Sequence, residues 1–353
     1  MKPARGGTAR LSDGEIARLA RQLATLLRAG FEMERALESI AKSDEGGILR
    51  PLGLGVLEEI RAGQSFSEGL KRTRLVGEDV VLMIRAGEAS GALPEVLGGL
   101  ADLYAKRNAL ASRVKASLLY PAIVLALSLG VVAFLLGYVL PMMKELFEET
   151  RTVLPLPTRI VLWLSTVFRY GAVPGFFGAL ILMIRHRNRR DDPTYRLGLE
   201  RLRARIPLLG SLELKSATVR FLRTLATLRE GGVPLLEALT VAGAASGSVR
   251  IQEAARSAQR RVAEGEPLAT ALAATRLFSP MVIESVSLGE ASGALPRVLA
   301  ELSDAWSEET GIQAETLAAT LMPVVLIAIG ILVAFVALAV LLPIFQFEST
   351  LTR

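Results

Sequence analysis

Gly87-Glu88-Ala89-Ser90-Gly91-Ala92-Leu93-Pro94 returns, letter for letter, as Gly289-Glu290-Ala291-Ser292-Gly293-Ala294-Leu295-Pro296, 202 residues further on. The same displacement aligns Leu23-Ala24-Thr25-Leu26 with Leu225-Ala226-Thr227-Leu228, and Arg18 and Arg21 with Arg220 and Arg223. It pairs Ala36-Leu37 with Ala238-Leu239, Gly63 with Gly265, and Tyr104 with Trp306. It carries on through Pro121 with Pro323 and Leu140-Pro141 with Leu342-Pro343. An ungapped register of this length marks a duplication, so the chain is two copies of one unit.

Each unit reads as a charged helical region followed by an apolar run. Leu19, Leu23, Leu26 and Leu27 fall at helix spacing. Gly30 stops that helix, as Gly231-Gly232 stops its counterpart. Pro94, Pro234, Pro280 and Pro296 sit where a first helical turn tolerates proline, and Ser279 is placed to cap the helix at Pro280. β-alternating runs of convincing length are lacking. The expected fold class is therefore all-α: two homologous helical bundles of about six helices each, near residues 12–115 and 214–315, plus three transmembrane helices. The last helix of each bundle, after Pro94 and after Pro296, is expected to run on into its apolar span.

Composition agrees with such a mixture. Of 353 residues, 51% are hydrophobic and 22% charged, and the mean hydropathy is +0.41. A disordered chain would be apolar-poor. The 41 Lys+Arg and 35 Asp+Glu could not all sit in hydrocarbon. Ala116–Met143 and Thr316–Phe347 carry no charge, and each exceeds the roughly 20 apolar residues that cross a bilayer. Tyr170–Ile184 is a shorter uncharged run, read as the core of a middle span with Arg169 snorkelling to the interface. The duplication requires this crossing, because a second bundle on the same side as the first needs one return.

The sign of flanking charge orients the chain. Arg113 and Lys115 precede the first span, and Arg185, Arg187, Arg189 and Arg190 follow the second. In the loop between them, Lys144, Arg151 and Arg159 are balanced by Glu145, Glu148 and Glu149. Positive residues mark the cytoplasmic side, and no signal-peptide core is visible at the start. The expected layout is a cytoplasmic helical domain over 1–115 and a span over 116–143. A periplasmic loop and interfacial segment follow over 144–169, then a span core over 170–184. A cytoplasmic linker and second helical domain occupy 185–315, a third span 316–347, and a periplasmic tail 348–353. The run Arg185-His186-Arg187-Asn188-Arg189-Arg190 is explained by this topology. It lacks the interleaved aromatics that stack on bases, so nucleic acid is not an expected partner.

Chemistry is sparse. With no Cys and one His, thiolate chemistry, Cys zinc sites and His-rich metal sites are excluded. No Gly-Lys pair exists to begin a phosphate loop. Enzyme activity and a cofactor are not expected, and transport is disfavoured because the first and third spans hold no ionisable group.

The repeated Glu88 and Glu290 remain the candidate special residues, with Ser90, Gly91, Ser292 and Gly293 beside them. Their carboxylates can cap the N-terminus of the next helix or accept turn amides. Alternatively the two turns form a docking surface, or Glu88 joins Glu78 or Asp79 around a divalent ion. Gly91 and Gly293 are expected to supply positive φ. Arg18, Arg21, Arg220 and Arg223 are either a solvated helix face or contacts for anionic headgroups or an acidic partner.

The twin G-E-x-S-G-x-L turns resemble the type II secretion system F family, which also includes the platform proteins of type IV pilus assembly. Leu154-Pro155-Leu156-Pro157-Thr158-Arg159, Arg205-Ile206-Pro207-Leu208-Leu209-Gly210, Gly231-Gly232-Val233-Pro234-Leu235 and Leu342-Pro343-Ile344-Phe345 fit the same pattern. The resemblance covers about residues 12–350; many members carry a further N-terminal segment that this chain lacks. It implies a non-enzymatic inner-membrane platform, multi-pass, with a cytoplasmic N-terminus and periplasmic C-terminus. Implied partners are a cytoplasmic hexameric secretion ATPase, other inner-membrane secretion components, (pseudo)pilins, the lipid bilayer and further copies of the chain. Type II secretion is the first reading, pilus assembly the alternative.

Overall fold

The computed structural model describes residues 10–44, 47–139 and 207–351, with the single positions 160, 163, 178, 185 and 198. The middle span 170–184, the loop 144–169 and the arginine run 185–190 otherwise lie outside the described residues. Those described are helical, with no strand among them. The first repeat contains α1 (Asp13–Arg28), α2 (Met33–Ser43), α3 (Leu49–Arg61), α4 (Phe66–Thr73), α5 (Glu78–Ser90) and α6 (Leu93–Phe134). A π-helical turn, Leu135–Val139, follows α6. The second repeat contains α7 (Pro207–Glu230), α8 (Leu235–Ala245), α9 (Val249–Ala263), α10 (Leu268–Ala273), α11 (Pro280–Ala291) and α12 (Leu295–Leu351). Each helix thus has its counterpart six places on. α2 and α8 coincide at both ends under the 202-residue displacement, and α6 and α12 coincide at their starts.

Local chemistry sets these boundaries. Ser12 and Glu15 form a reciprocal capping box that starts α1, satisfying amides that have no intrahelical partner. The equivalent of Ser12 is Leu214, which cannot cap, and α7 accordingly begins earlier. Gly30 and Gly232, at φ +85° and +74°, end α1 and α7. Ser279 accepts the Val282 N–H at 3.4 Å with Pro280 at the first helical position. Pro234 differs slightly from expectation: it is the residue just before α8 and not within it.

The chain divides into two compact units: Met1–Ser112 with Arg196–Gln313, and Arg113–Tyr195 with Ala314–Arg353. In the first, both repeats contribute to one continuous hydrophobic core, from Leu11 through Tyr104 in one copy and from Ala217 through Leu302 in the other. The two copies are not equivalently packed. α8 is held by α7 and α9 and also by α5 of the first repeat, whereas α2 and α11 make no comparable contact. Val241 and Ala245 on α8 are buried; their counterparts on α2, Ser39 and Ser43, are exposed. Conversely Ala86 on α5 is buried at 2% exposure, while its counterpart Leu288 on α11 is 67% exposed.

In the second unit, α6 and α12 present apolar side chains outward: Leu119, Leu127, Ile327 and Ile331 are all exposed. Val132 and Ala339 are buried there, packed by Leu332, Val333 and Phe335. Among the described residues, one helix, Leu93–Phe134, is long and apolar enough to cross a membrane.

Candidate functional site

Five letters of the duplicated octapeptide, both glycines, the glutamate, the serine and the proline, have a structural role. Gly87 lies where α5 meets α6: a Cβ there would stand 3.0 Å from Val96, and one at Gly289 would stand 3.1 Å from Val298. Such approach leaves no room for a side chain without displacing a neighbour. Ser90 Oγ donates to the Gly87 carbonyl at 3.3 Å, and Ser292 Oγ to the Leu288 carbonyl at 2.8 Å. Gly91 and Gly293 follow at φ +73° and +69°, in the left-handed region that terminates helices. Pro94 and Pro296 then occupy the second position of the next helix, where no intrahelical N–H bond is lost.

The glutamates do not cap the helix that follows, as their position in sequence suggested. They reach back. Glu88 accepts the N–H of Phe66 at 2.8 Å and of Ser67 at 3.2 Å. Glu290 accepts the N–H of Leu268 at 2.8 Å and of Ala269 at 3.2 Å. Each carboxylate therefore seals the N-terminus of α4 or α10, the helix before its own. It meets the positive end of that helix's dipole while satisfying two amides whose own side chains are buried. Since α10 is short and begins after Pro267, with no side-chain cap of its own, Glu290 supplies what its sequence lacks.

The ion grouping of Glu88 with Glu78 or Asp79 does not form. Glu78 and Asp79 begin α5 and Glu88 lies in its last turn, about 14–15 Å away along the axis. Asp79 instead accepts the Tyr104 hydroxyl at 2.8 Å. Burial, and then the negative charge of Asp79, push the Tyr104 hydroxyl well above its ordinary pKa. No cluster of three metal-ligating side chains occurs among the described residues.

Of the four repeated arginines, Arg18 stands at an exposed position on α1. Arg21 pairs with Asp102 at 2.7 Å. Its counterpart Arg223 pairs with Asp304, the counterpart of Asp102, at 3.1 Å. Arg223 also approaches Asp102 at 3.6 Å, and Lys106 pairs with Asp304, so the network crosses between the repeats. The Arg223 side chain is 17% exposed where Arg21 is 55% exposed. A solvated face is therefore the wrong description of Arg223. It is wrong for Arg220 too, whose Nε donates to the Ser246 carbonyl at 2.6 Å.

A second pair of positions carries a reversal. Asp13 pairs with Arg107 at 3.4 Å; their counterparts, Lys215 and Glu309, pair at 2.8 Å. The contact is retained and both signs are exchanged. Asp102, Asp304 and these four residues escaped the reading of the sequence, although Asp102 and Asp304 are identical at the repeat displacement and could have been found by it.

A family model for the type II secretion system protein F matches residues 19–141 and, displaced by the same 202 residues, 221–343. The chain is 32% identical over 339 residues to a type IV pilus assembly protein PilC of Thermus thermophilus, covering 96% of this chain and 84% of that protein. It is 33% identical over 342 residues to a type II secretion system protein F of Pseudomonas aeruginosa, with 96% and 84% coverage. A type IV pilus assembly protein TapC of Aeromonas hydrophila is 30% identical over 342 residues, with 96% and 83% coverage. The octapeptide, the glutamate caps and the ion-paired helices all fall within the two matched segments or beside them, and the chain belongs to the type II secretion system protein F family.

Proposed function

We propose that this chain is an inner-membrane platform protein that couples a cytoplasmic hexameric ATPase to the assembly of a pseudopilus in type II secretion. The reading rests above all on the doubled family match, in which each copy takes in a helical bundle and most of the apolar run that follows it. In this reading 116–143, 170–184 and 316–347 cross the bilayer, both bundles face the cytoplasm, and the C-terminus is periplasmic. The outward apolar side chains of α6 and α12 support it, because a hydrocarbon environment removes the cost of exposing them to water. The protein itself performs no catalysis. Energy comes from the ATPase, and pseudopilins, other inner-membrane components and further copies of the chain are its remaining partners.

A second reading, platform for a type IV pilus, is favoured by the identity to the Thermus PilC protein along nearly the whole chain. Deleting the gene and scoring both secretion and piliation separates the two.

Topology is tested with the native absence of cysteine. Single substitutions Asn108→Cys, Glu148→Cys and Ser349→Cys are probed with an impermeant maleimide on intact spheroplasts. Labelling at 148 and 349 but not at 108 is expected; labelling at 108 from outside sinks the proposed orientation. The ATPase should co-purify with the full chain and be lost when residues 214–315 are removed. Full secretion and piliation without that segment would refute the platform reading.

A further inference from the structure

A cavity of about 60 Å³ lies between α6, α7 and α12, within the compact unit that both repeats build. Four cations line it, Lys106, Arg107, Arg220 and Arg223, together with the carboxylate of Asp304. That carboxylate is engaged by Lys106 and by Arg223, Arg223 also approaches Asp102, and Asp13 engages Arg107. Arg220 Nε donates to a neutral carbonyl, that of Ser246. Burial, and then the positive charge of Arg107, push the Arg220 guanidinium down to about 10; Glu213 and Asp79 act in the other direction without cancelling this. Arg223 Nε is buried with no hydrogen-bond partner. A buried cation beside a second cation is costly unless an anion accompanies it.

We propose that this cavity is a binding site for a phosphate ester, its phosphoryl oxygens held by Arg220 and Arg107 with Lys106 and Arg223 at the edges. Guanidinium groups match phosphate oxygens with paired hydrogen bonds. The space admits a phosphoryl group, since one water needs about 10–15 Å³ on a comparable measure. Leu103 and Val219 add an apolar wall that suits the carbon side of an ester. The site is also confined to one place. At the repeat displacement Lys106 and Arg107 become Glu308 and Glu309, so the equivalent position would repel an anion. A soluble phosphomonoester and an anionic lipid headgroup share this chemistry.

The test uses the full chain purified in neutral detergent. One arm titrates glycerol 3-phosphate by calorimetry at constant ionic strength; the other compares nanodiscs of phosphatidylglycerol with nanodiscs of phosphatidylcholine by native mass spectrometry. One saturable equivalent is expected in one arm, which identifies the source, weakened at least tenfold by Arg107→Gln and by Arg220→Gln. Arg297→Gln, on an exposed face outside the cavity, should bind as the parent does. If Arg220→Gln does not fold, Lys106→Gln and Arg107→Gln, whose side chains are 45% and 37% exposed, decide the matter. Absence of saturable binding in both arms, or undiminished binding in these two variants, overturns the proposal.

Discussion

The Glu88 carboxylate accepts the backbone N–H of Phe66 at 2.8 Å across 22 residues of chain. Glu290 and Leu268 repeat that relationship at the same distance. A helix N-terminus that is half-buried has little water to satisfy its amides, so the carboxylate does this while favouring the end of the dipole.

Removing the cap should cost stability in proportion to what remains. Glu88→Ala and Glu290→Ala are each expected to lose about 1–2 kcal/mol, the usual size of an N-cap deletion. Glu88→Gln should lose less, since an amide oxygen still accepts one N–H. Denaturant midpoints of the detergent-solubilised chain measure this. The Glu290 variant should suffer more than the Glu88 variant, because Ser65 already caps α4 by accepting the Glu68 N–H while α10 has no such residue. Equal losses would show that Ser65 contributes nothing.

The two glycines of the motif should fail for different reasons. Gly91→Val places a β-branched side chain at φ +73°, in open space but in a backbone region it resists. Gly87→Ala keeps a permitted backbone but brings Cβ to 3.0 Å from Val96. Gly91→Asn should therefore recover much of the loss at 91, as Asn tolerates the left-handed region. Val96→Ala should recover only part of the loss at 87, because it removes the Cγ2 contact but keeps the Val96 Cβ, which also stands at 3.0 Å. Thermal unfolding of the four variants checks both rescues.

The exchanged pair predicts a rescue by reversal. Asp13→Lys sets two cations together, and adding Arg107→Glu should restore the contact in the orientation that Lys215 and Glu309 use. Both pairs are partly exposed, so the coupling energy in a double-mutant cycle should be only about 0.3–1 kcal/mol and should shrink in high salt. Arg223→Gln should cost more, about 1–3 kcal/mol, because it leaves Asp102 and Asp304 without a shared cation in a less exposed place. A flat response to Arg223→Gln would mean that the inter-repeat network does not contribute to stability.

Acid should loosen the start of α1 before the rest. Hydrogen bonds from Ser12 hold Glu15 below its ordinary value of 4.5. The folded state thus binds this proton less readily than the unfolded state, and stability rises with pH through that range. The contribution is fully present above about 4.5 and is lost as pH falls through the lower folded value. The protection factor of the Glu15 amide, taken against its intrinsic exchange rate, should fall on acidification, and Glu15→Gln should abolish that pH dependence.

Much of the helical plan was legible in the sequence because it is decided within a few residues. Ser279 with Pro280 and the glycines at 30, 91, 232 and 293 start and stop helices through bonds and angles that close locally; the Ser12–Glu15 box is equally local, though it escaped the reading of the sequence. The assignment of Glu88 was half legible: its type and repeat marked it, but the helix it seals is 22 residues upstream, beyond any spacing rule. Arg223 shows the same limit. It is written like Arg21, yet it is shielded because the second repeat is packed against the first.

The duplication, the all-helical class and the long apolar runs follow from the sequence alone, since period and composition are properties of the chain itself. Tertiary structure decided that the two bundles share one core, that α8 is covered where α2 is open, and that four cations converge on one cavity. Those outcomes depend on which surfaces meet. Two nearly identical local patterns can be given different neighbours, and it is the neighbour that sets burial, pairing and charge.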